Sequence, residues 1–116
     1  MKLTALVAVT ILALAGCSPS HTTVAPDKYT QTWATDYAST TCTDYTTVMS
    51  AHQRWAAAAD MLTGARNKGD GGTGMPSDEL VTTFMGGVDT ACVVPTMTIT
   101  DVAVGLYLTE RTRFQP

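Results

Sequence analysis

Histidine, glutamate and lysine are scarce in this chain of 116 residues, and their scarcity excludes much chemistry. The only glutamates are Glu79 and Glu110, and the only histidines are His21 and His52. A general acid–base pair needs two titratable groups held within reach of each other, and no spacing here suggests one. No His-x-x-x-His and no Cys-x-x-Cys occurs, so neither a zinc ligand set nor a redox pair is indicated. His52 sits among apolar positions and reads as a packed boundary residue. Asp60, eight residues on, falls on roughly the same side but brings no third group. These absences point to a non-enzymatic protein with no catalytic residue, no metal, no cofactor and no small-molecule substrate.

Clustered positive charge is missing too. Beyond Lys2 the basic residues are Lys28, Arg54, Arg66, Lys68, Arg111 and Arg113, scattered against ten acidic ones, for a net charge of −4. Nucleic acid is thereby excluded as a partner, because phosphate binding needs grouped Lys and Arg. No segment reaches the ~20 consecutive apolar residues of a membrane-spanning helix. Nor does any carry the Lys/Arg-rich polar face of an interfacial one. The run Gly69-Asp70-Gly71-Gly72-Thr73-Gly74 lacks the lysine and hydroxyl that follow the last glycine of a phosphate-binding loop, and reads as a flexible connection.

What is present begins with the N-terminus. Lys2 precedes Leu3 to Ala15, which is apolar apart from Thr4 and Thr10 and ends in Leu14-Ala15-Gly16-Cys17. A positive start, a short apolar core and a small-residue end describe a secretory signal. The tetrapeptide resembles the lipobox of bacterial lipoproteins. That resemblance implies removal of residues 1–16 and lipidation of the Cys17 sulfur. Each buried methylene adds ~0.8 kcal/mol, and two or more chains anchor stably. Residues 17–26 then form a polar, Pro-bearing tether that includes His21. The expected location is the extracytoplasmic side of a membrane, with the lipid as the membrane contact.

Two cysteines remain, Cys42 and Cys92. In the oxidising compartment of an exported protein such a pair closes. The bond would enclose about fifty residues and contribute ~4 kcal/mol in the chain-entropy model.

The rest, 27–116, reads as one all-α domain of three to four helices. Asp27 to Ser39 is expected as a first helix, with Tyr29, Trp33 and Tyr37 on one face packed into the core. Cys42 to Asn67 is expected as the second. It opens on the capping pattern Thr41-Cys42-Thr43-Asp44, carries Tyr45, Val48, Met49, His52, Trp55, Ala56, Ala59 and Met61-Leu62 at helical steps, and stops at Gly69. Ser77 caps a third, with Leu80, Val81, Phe84, Met85, Val88, Ala91 and Cys92 on one face. Gly86-Gly87 either weakens it or marks close packing, and Pro95 ends it. Met97 to Phe114 opens on Thr98-Ile99-Thr100-Asp101. Its Val102, Val104, Leu106 and Leu108 also alternate like a strand, but no partner strand is visible, so helix is expected.

Thr41-Cys42-Thr43-Asp44-Tyr45-Thr46-Thr47-Val48, with Val88-Asp89-Thr90-Ala91-Cys92 fifty residues on, resembles the periplasmic acid-stress chaperones of the HdeA/HdeB type. The resemblance spans about residues 37–108. It implies a small helical fold pinned by Cys42–Cys92, and non-enzymatic holding of unfolded clients after low pH loosens the domain. The chain differs from that family in its lipobox and its few lysines. It also looks like the Ala- and Thr-rich small lipoproteins of actinobacteria and their phages. That likeness implies a surface lipoprotein acting in superinfection exclusion; a third expectation, apart from it, is an envelope accessory lipoprotein with one protein partner.

Overall fold

The computed structural model describes residues 27–116; the signal segment expected at 1–16, the tether expected at 17–26 and the lipid attachment expected at Cys17 all lie outside the described residues. Within 27–116 five helices form: α1 (Cys42–Thr47), α2 (Ala51–Gly64), α3 (Asp78–Ala91), α4 (Ile99–Thr109) and α5 (Arg111–Phe114). The only β pairing among the described residues is one isolated antiparallel bridge, Thr41 to Thr98. The alternation over 102–108 is therefore carried by a helix.

Two helix expectations are corrected. The segment 27–39 is not a helix; it holds only a 3₁₀ turn at Tyr37–Ser39. Thr30, Thr32 and Thr35 are poor helix formers, and the side chains bond locally or across instead. Asp27 Oδ1 accepts from the Tyr29 amide at 3.3 Å, a turn rather than a helix cap. Trp33 Nε1 donates to the buried Thr40 hydroxyl at 2.9 Å, which donates to the Asp36 carbonyl at 2.8 Å. Tyr29, Trp33 and Tyr37 still pack against the core, as a strap rather than a helical face.

The expected helix 42–67 is two helices. Thr41 and Asp44 form a reciprocal capping box that starts α1. Thr46 and Thr47 then turn their hydroxyls back onto the Cys42 and Thr43 carbonyls at 2.9 and 2.6 Å, a competition that weakens helices. Ser50 and Gln53 form a second capping box that restarts the chain as α2. Val48, freed by the break, is 62% exposed instead of packed. A π-helical turn, Ala65–Gly69, closes α2 at the expected glycine.

The other caps behave as the sequence suggests. Ser77 accepts from the Leu80 amide, with Asp78 and Glu79 in the positive first turn of α3. Thr98 accepts from the Asp101 amide and opens α4. The chain then breaks at Glu110 into α5.

Helices α2, α3 and α4 pack against one another. Tyr45, Leu62, Val81, Phe84, Val88, Ile99 and Phe114 are fully buried between them. Ala56 to Ala59 are buried as well, and their small side chains let neighbouring helices approach closely. Gly87 completes the α3–α4 contact, since a Cβ there would lie 2.6 Å from Leu106 Cδ2. Phe114 closes the base, edge-on to Phe84 at 5.1 Å. The loop after α2 turns at Gly71 and Gly74, with φ of 70° and 69°, values that glycine adopts without penalty.

Candidate functional site

Cys42 and Cys92 are bonded, with Cα atoms 5.3 Å apart, joining the start of α1 to the end of α3. Around this bond the chain builds a rigid corner. The first turn of any helix has amides without internal partners. In α1 they are taken by the loop after α3: Cys42 N donates to the Met97 carbonyl at 2.8 Å and Thr43 N to the Pro95 carbonyl at 3.2 Å. Ile99 N returns a bond to the Thr40 carbonyl at 2.9 Å. The loop is thus held on both sides, and it presents its apolar side chains outward. Val93 is 77% exposed, Val94 44% and Met97 37%. Apolar side chains shown to water from a fixed backbone are suited to protein contact rather than to chemistry.

A second feature runs through the whole domain. The chain has four tyrosines, and each donates its hydroxyl to an aspartate distant in sequence. Tyr29 reaches Asp78 at 2.5 Å, Tyr37 reaches Asp60 at 2.8 Å and Tyr45 reaches Asp89 at 2.6 Å, while Tyr107 bonds Asp70. These clasps tie the N-terminal strap to α3 and α2, α1 to α3, and α4 to the glycine loop.

Cations reinforce two of the clasps. Lys28 pairs with Asp78 and stands 5.5 Å from the Trp55 ring centroid, while Arg111 grips Asp70. The bond from Lys28, with that from Tyr29, holds the Asp78 carboxyl below the usual carboxylate range. Those from Arg111 and Tyr107 do the same for Asp70. Burial, together with the carboxylate partner, pushes the Tyr37 and Tyr45 hydroxyls well above their ordinary value.

These shifts fix the direction of the pH response. A carboxylate whose folded pKa is depressed adds stability above its unfolded value near 4, and that stability is lost as pH falls through the folded value. A tyrosine whose pKa is raised adds stability below about pH 10 and loses it above. Acid therefore attacks the Asp70 and Asp78 clasps, and alkali attacks the tyrosines.

The residues singled out in the sequence are placed as follows. His52 is half-buried, its Nε2 3.0 Å from the Thr30 carbonyl, so it helps fix the strap. Asp60 finds a partner in Tyr37 rather than in His52. Trp55 is half-buried, packs on Tyr29 with ring centroids 5.2 Å apart, and donates to Thr82 at 3.3 Å. Among the described residues no group of three or more His, Cys, Asp or Glu gathers as a metal site would. No described helix is long and apolar enough to cross a membrane. The exposed loop 93–97 and the tyrosine–aspartate pairing were not legible in the sequence. The pairing partners are 23 to 49 residues apart, and no local pattern announces them. Set against protein-family models, curated proteins and solved structures, the chain matches none of them.

Proposed function

We propose that this protein is an exported lipoprotein, anchored through Cys17, whose helical domain binds proteins without catalysis and loosens in acid to hold unfolded clients. The observation that carries the reading is the set of four tyrosine–aspartate clasps, which joins every major segment through a carboxylate. Two of those carboxylates, Asp70 and Asp78, stabilise the fold only while ionised. Protonating them removes the ionic hold of Lys28 and Tyr29 on the start of the strap and of Arg111 and Tyr107 on the glycine loop. Trp55, covered by Tyr29 and Lys28 in the closed domain, then becomes available to clients. The Cys42–Cys92 bond limits how far the domain can open, and supports an oxidising, extracytoplasmic setting. The similarity to HdeA/HdeB-type chaperones belongs to this reading.

The experiment is an acid titration of residues 18–116 with an aggregating client present, followed by near-ultraviolet circular dichroism and light scattering. Reversible loosening near pH 3 with reduced client aggregation supports the proposal. A domain that stays packed, or precipitates with the client, contradicts it. A second reading, a surface lipoprotein of the phage superinfection-exclusion kind, is favoured by one observation. Val93, Val94 and Met97 are already exposed in the closed domain, and so offer an apolar contact at neutral pH. The anchor is tested by Cys17→Ser: a variant that still partitions with membranes in detergent extraction contradicts lipidation.

A further inference from the structure

Between the end of α2 and α4 runs a groove of about 390 Å³, within the ~300–1,000 Å³ of small-molecule clefts. Its floor is apolar, with Met61 and Ala65 on one side and Ala103 and Val104 on the other. Glycine keeps it open. Gly64 and Gly69 also line it, and a Cβ added at either would meet nothing within 4 Å. The turn that follows Gly64 is π-helical, and π turns joined to α-helices recur at functional sites. The two ends of the groove carry unlike charges. Lys68 lines one end and is exposed. Among the described residues the other basic side chains are engaged. Lys28, Arg111 and Arg113 pair with carboxylates, Arg66 donates to the Phe114 carbonyl, and Arg54 lies over the Tyr45 ring. Lys68 has no such partner among those residues. Asp60 lines the other end, with its Oδ2 bonded to the Tyr37 hydroxyl at 2.8 Å and its Oδ1 left over. Thr100 belongs to the Asp60 end. Tyr37 opens the 3₁₀ turn that Thr40 closes, and the Thr40 carbonyl accepts from the Ile99 amide at 2.9 Å, which sets the start of α4 beside Asp60. The half-buried Thr100 hydroxyl does not turn back onto a helix carbonyl as those of Thr63 and Thr109 do.

We infer that this groove binds a short apolar peptide whose two termini are free. The peptide carboxylate lies at Lys68, and its ammonium donates to Asp60 and to the Thr100 hydroxyl. Asp60 and Lys68 are separated by about 12 Å of helix at ~1.5 Å per residue. An extended chain advances ~3.3–3.6 Å per residue, so about three or four residues fill that span. Their side chains cover Met61 and Val104, the latter 52% exposed in the domain alone. A fatty acid answers Lys68 but leaves Asp60 unpaired. A sugar phosphate leaves the apolar floor uncovered. The peptide is a ligand and not a substrate, since no nucleophile or acid–base pair lines the groove. Both charged ends face water, so each contributes little and the binding is weak. The inference concerns the closed domain at neutral pH. It does not rest on the lipid at Cys17 or on opening in acid, and either can fail without the other.

The test is a calorimetric titration at pH 7 of the full chain, purified from an exporting bacterium, with the tetrapeptide Ala-Leu-Val-Ala. One-to-one binding is expected. Gly64→Leu fills the groove and should abolish it, whereas Gly64→Ala, too short to cross the groove, should retain it. Both changes raise helix propensity, so neither should lower the melting temperature. Lys68→Gln and amidation of the peptide carboxylate should each weaken binding roughly threefold to fivefold, the scale of an exposed ion pair. Amidation should cost nothing further in the Lys68→Gln chain, because both remove the same contact. Acetylation of the peptide amine should weaken binding by a similar factor in either chain. The inference is overturned if the tetrapeptide does not bind, or if Gly64→Leu binds it as well as before. A peptide blocked at both ends that binds as tightly as the free one would assign the groove to internal segments of longer chains. Decanoate that binds more tightly and displaces the peptide would assign it to amphiphilic acids. Either result also overturns the inference.

Discussion

Reducing the Cys42–Cys92 bond is the perturbation whose cost can be worked out most fully. The two residues are 50 apart in sequence. In the chain-entropy model, releasing a loop of that length raises the entropy of the unfolded chain enough to cost about 4 kcal/mol. A domain of this size is stable by only ~5–15 kcal/mol, so most of its margin is at stake. At ~4–8 °C per kcal/mol for a small domain, the melting temperature should fall by roughly 15–30 °C. Reductant rather than mutation is the right tool, because Cys42 is 1% exposed and replacing it by alanine would add a packing defect. Cys92 is half-buried and offers the accessible sulfur. The bonds from Cys42 N and Thr43 N to the loop carbonyls remain after reduction, so the corner should keep its geometry and the loss should be entropic. Urea melts with and without reductant, followed by far-ultraviolet circular dichroism, would measure it. A difference under about 1 kcal/mol would refute the reasoning, since the chain-entropy model places a loop of this length near 4 kcal/mol.

Three further outcomes are expected. Tyr45→Phe keeps the fully buried ring but removes a 2.6 Å bond to the Asp89 carboxylate; urea denaturation should show a loss of about 1–2 kcal/mol, and an unchanged midpoint would mean that water replaces the clasp. Ser50→Ala removes the hydroxyl that accepts from the Gln53 amide and should cost about 1 kcal/mol. If circular dichroism shows α1 and α2 merging instead, the second capping box is not what breaks them. Plotted against pH, the urea midpoint should be flat between about pH 5 and 9. It should fall below about pH 4 as Asp70 and Asp78 protonate, and above about pH 10 as the tyrosines ionise. A profile still flat at pH 2 would show that the carboxylate clasps carry no weight.

Much of the helical architecture was legible because it rests on local signals. Thr41, Ser77 and Thr98 cap the helices that the sequence assigns to them, Gly69 ends the helix it was expected to end, and the disulfide joins Cys42 to Cys92 as expected. What failed was also local, but competed. The apolar period runs straight through Val48, while Thr46, Thr47 and the Ser50–Gln53 box break the backbone there. Periodicity reports which side chains can be buried, not whether the backbone between them stays helical. In the same way Tyr29, Trp33 and Tyr37 show helical spacing, and all three are packed, yet each is held by its own distant or local hydroxyl or carboxylate partner. The choice between Gly86 and Gly87 was unreadable, since only the approach of Leu106 distinguishes the glycine that is sterically required from the one that faces open space. The exposure of Val104 and Leu108 on α4 was hidden for a related reason: an all-round apolar sequence does not say which face its own domain covers.

The central claim is that the domain is held shut by ionised aspartates and opens in acid to hold clients. It is tested most directly by comparing residues 18–116 with the Asp78→Asn variant during a titration from pH 7 to pH 2, with an aggregating client present. Asparagine cannot be ionised, so the variant lacks the charge that binds Lys28 and Tyr29. The expected result is that the wild-type domain loosens and suppresses client aggregation near pH 3, and that the variant does both at a higher pH. If the two titrate alike, or if neither protects the client at any pH, the account is contradicted.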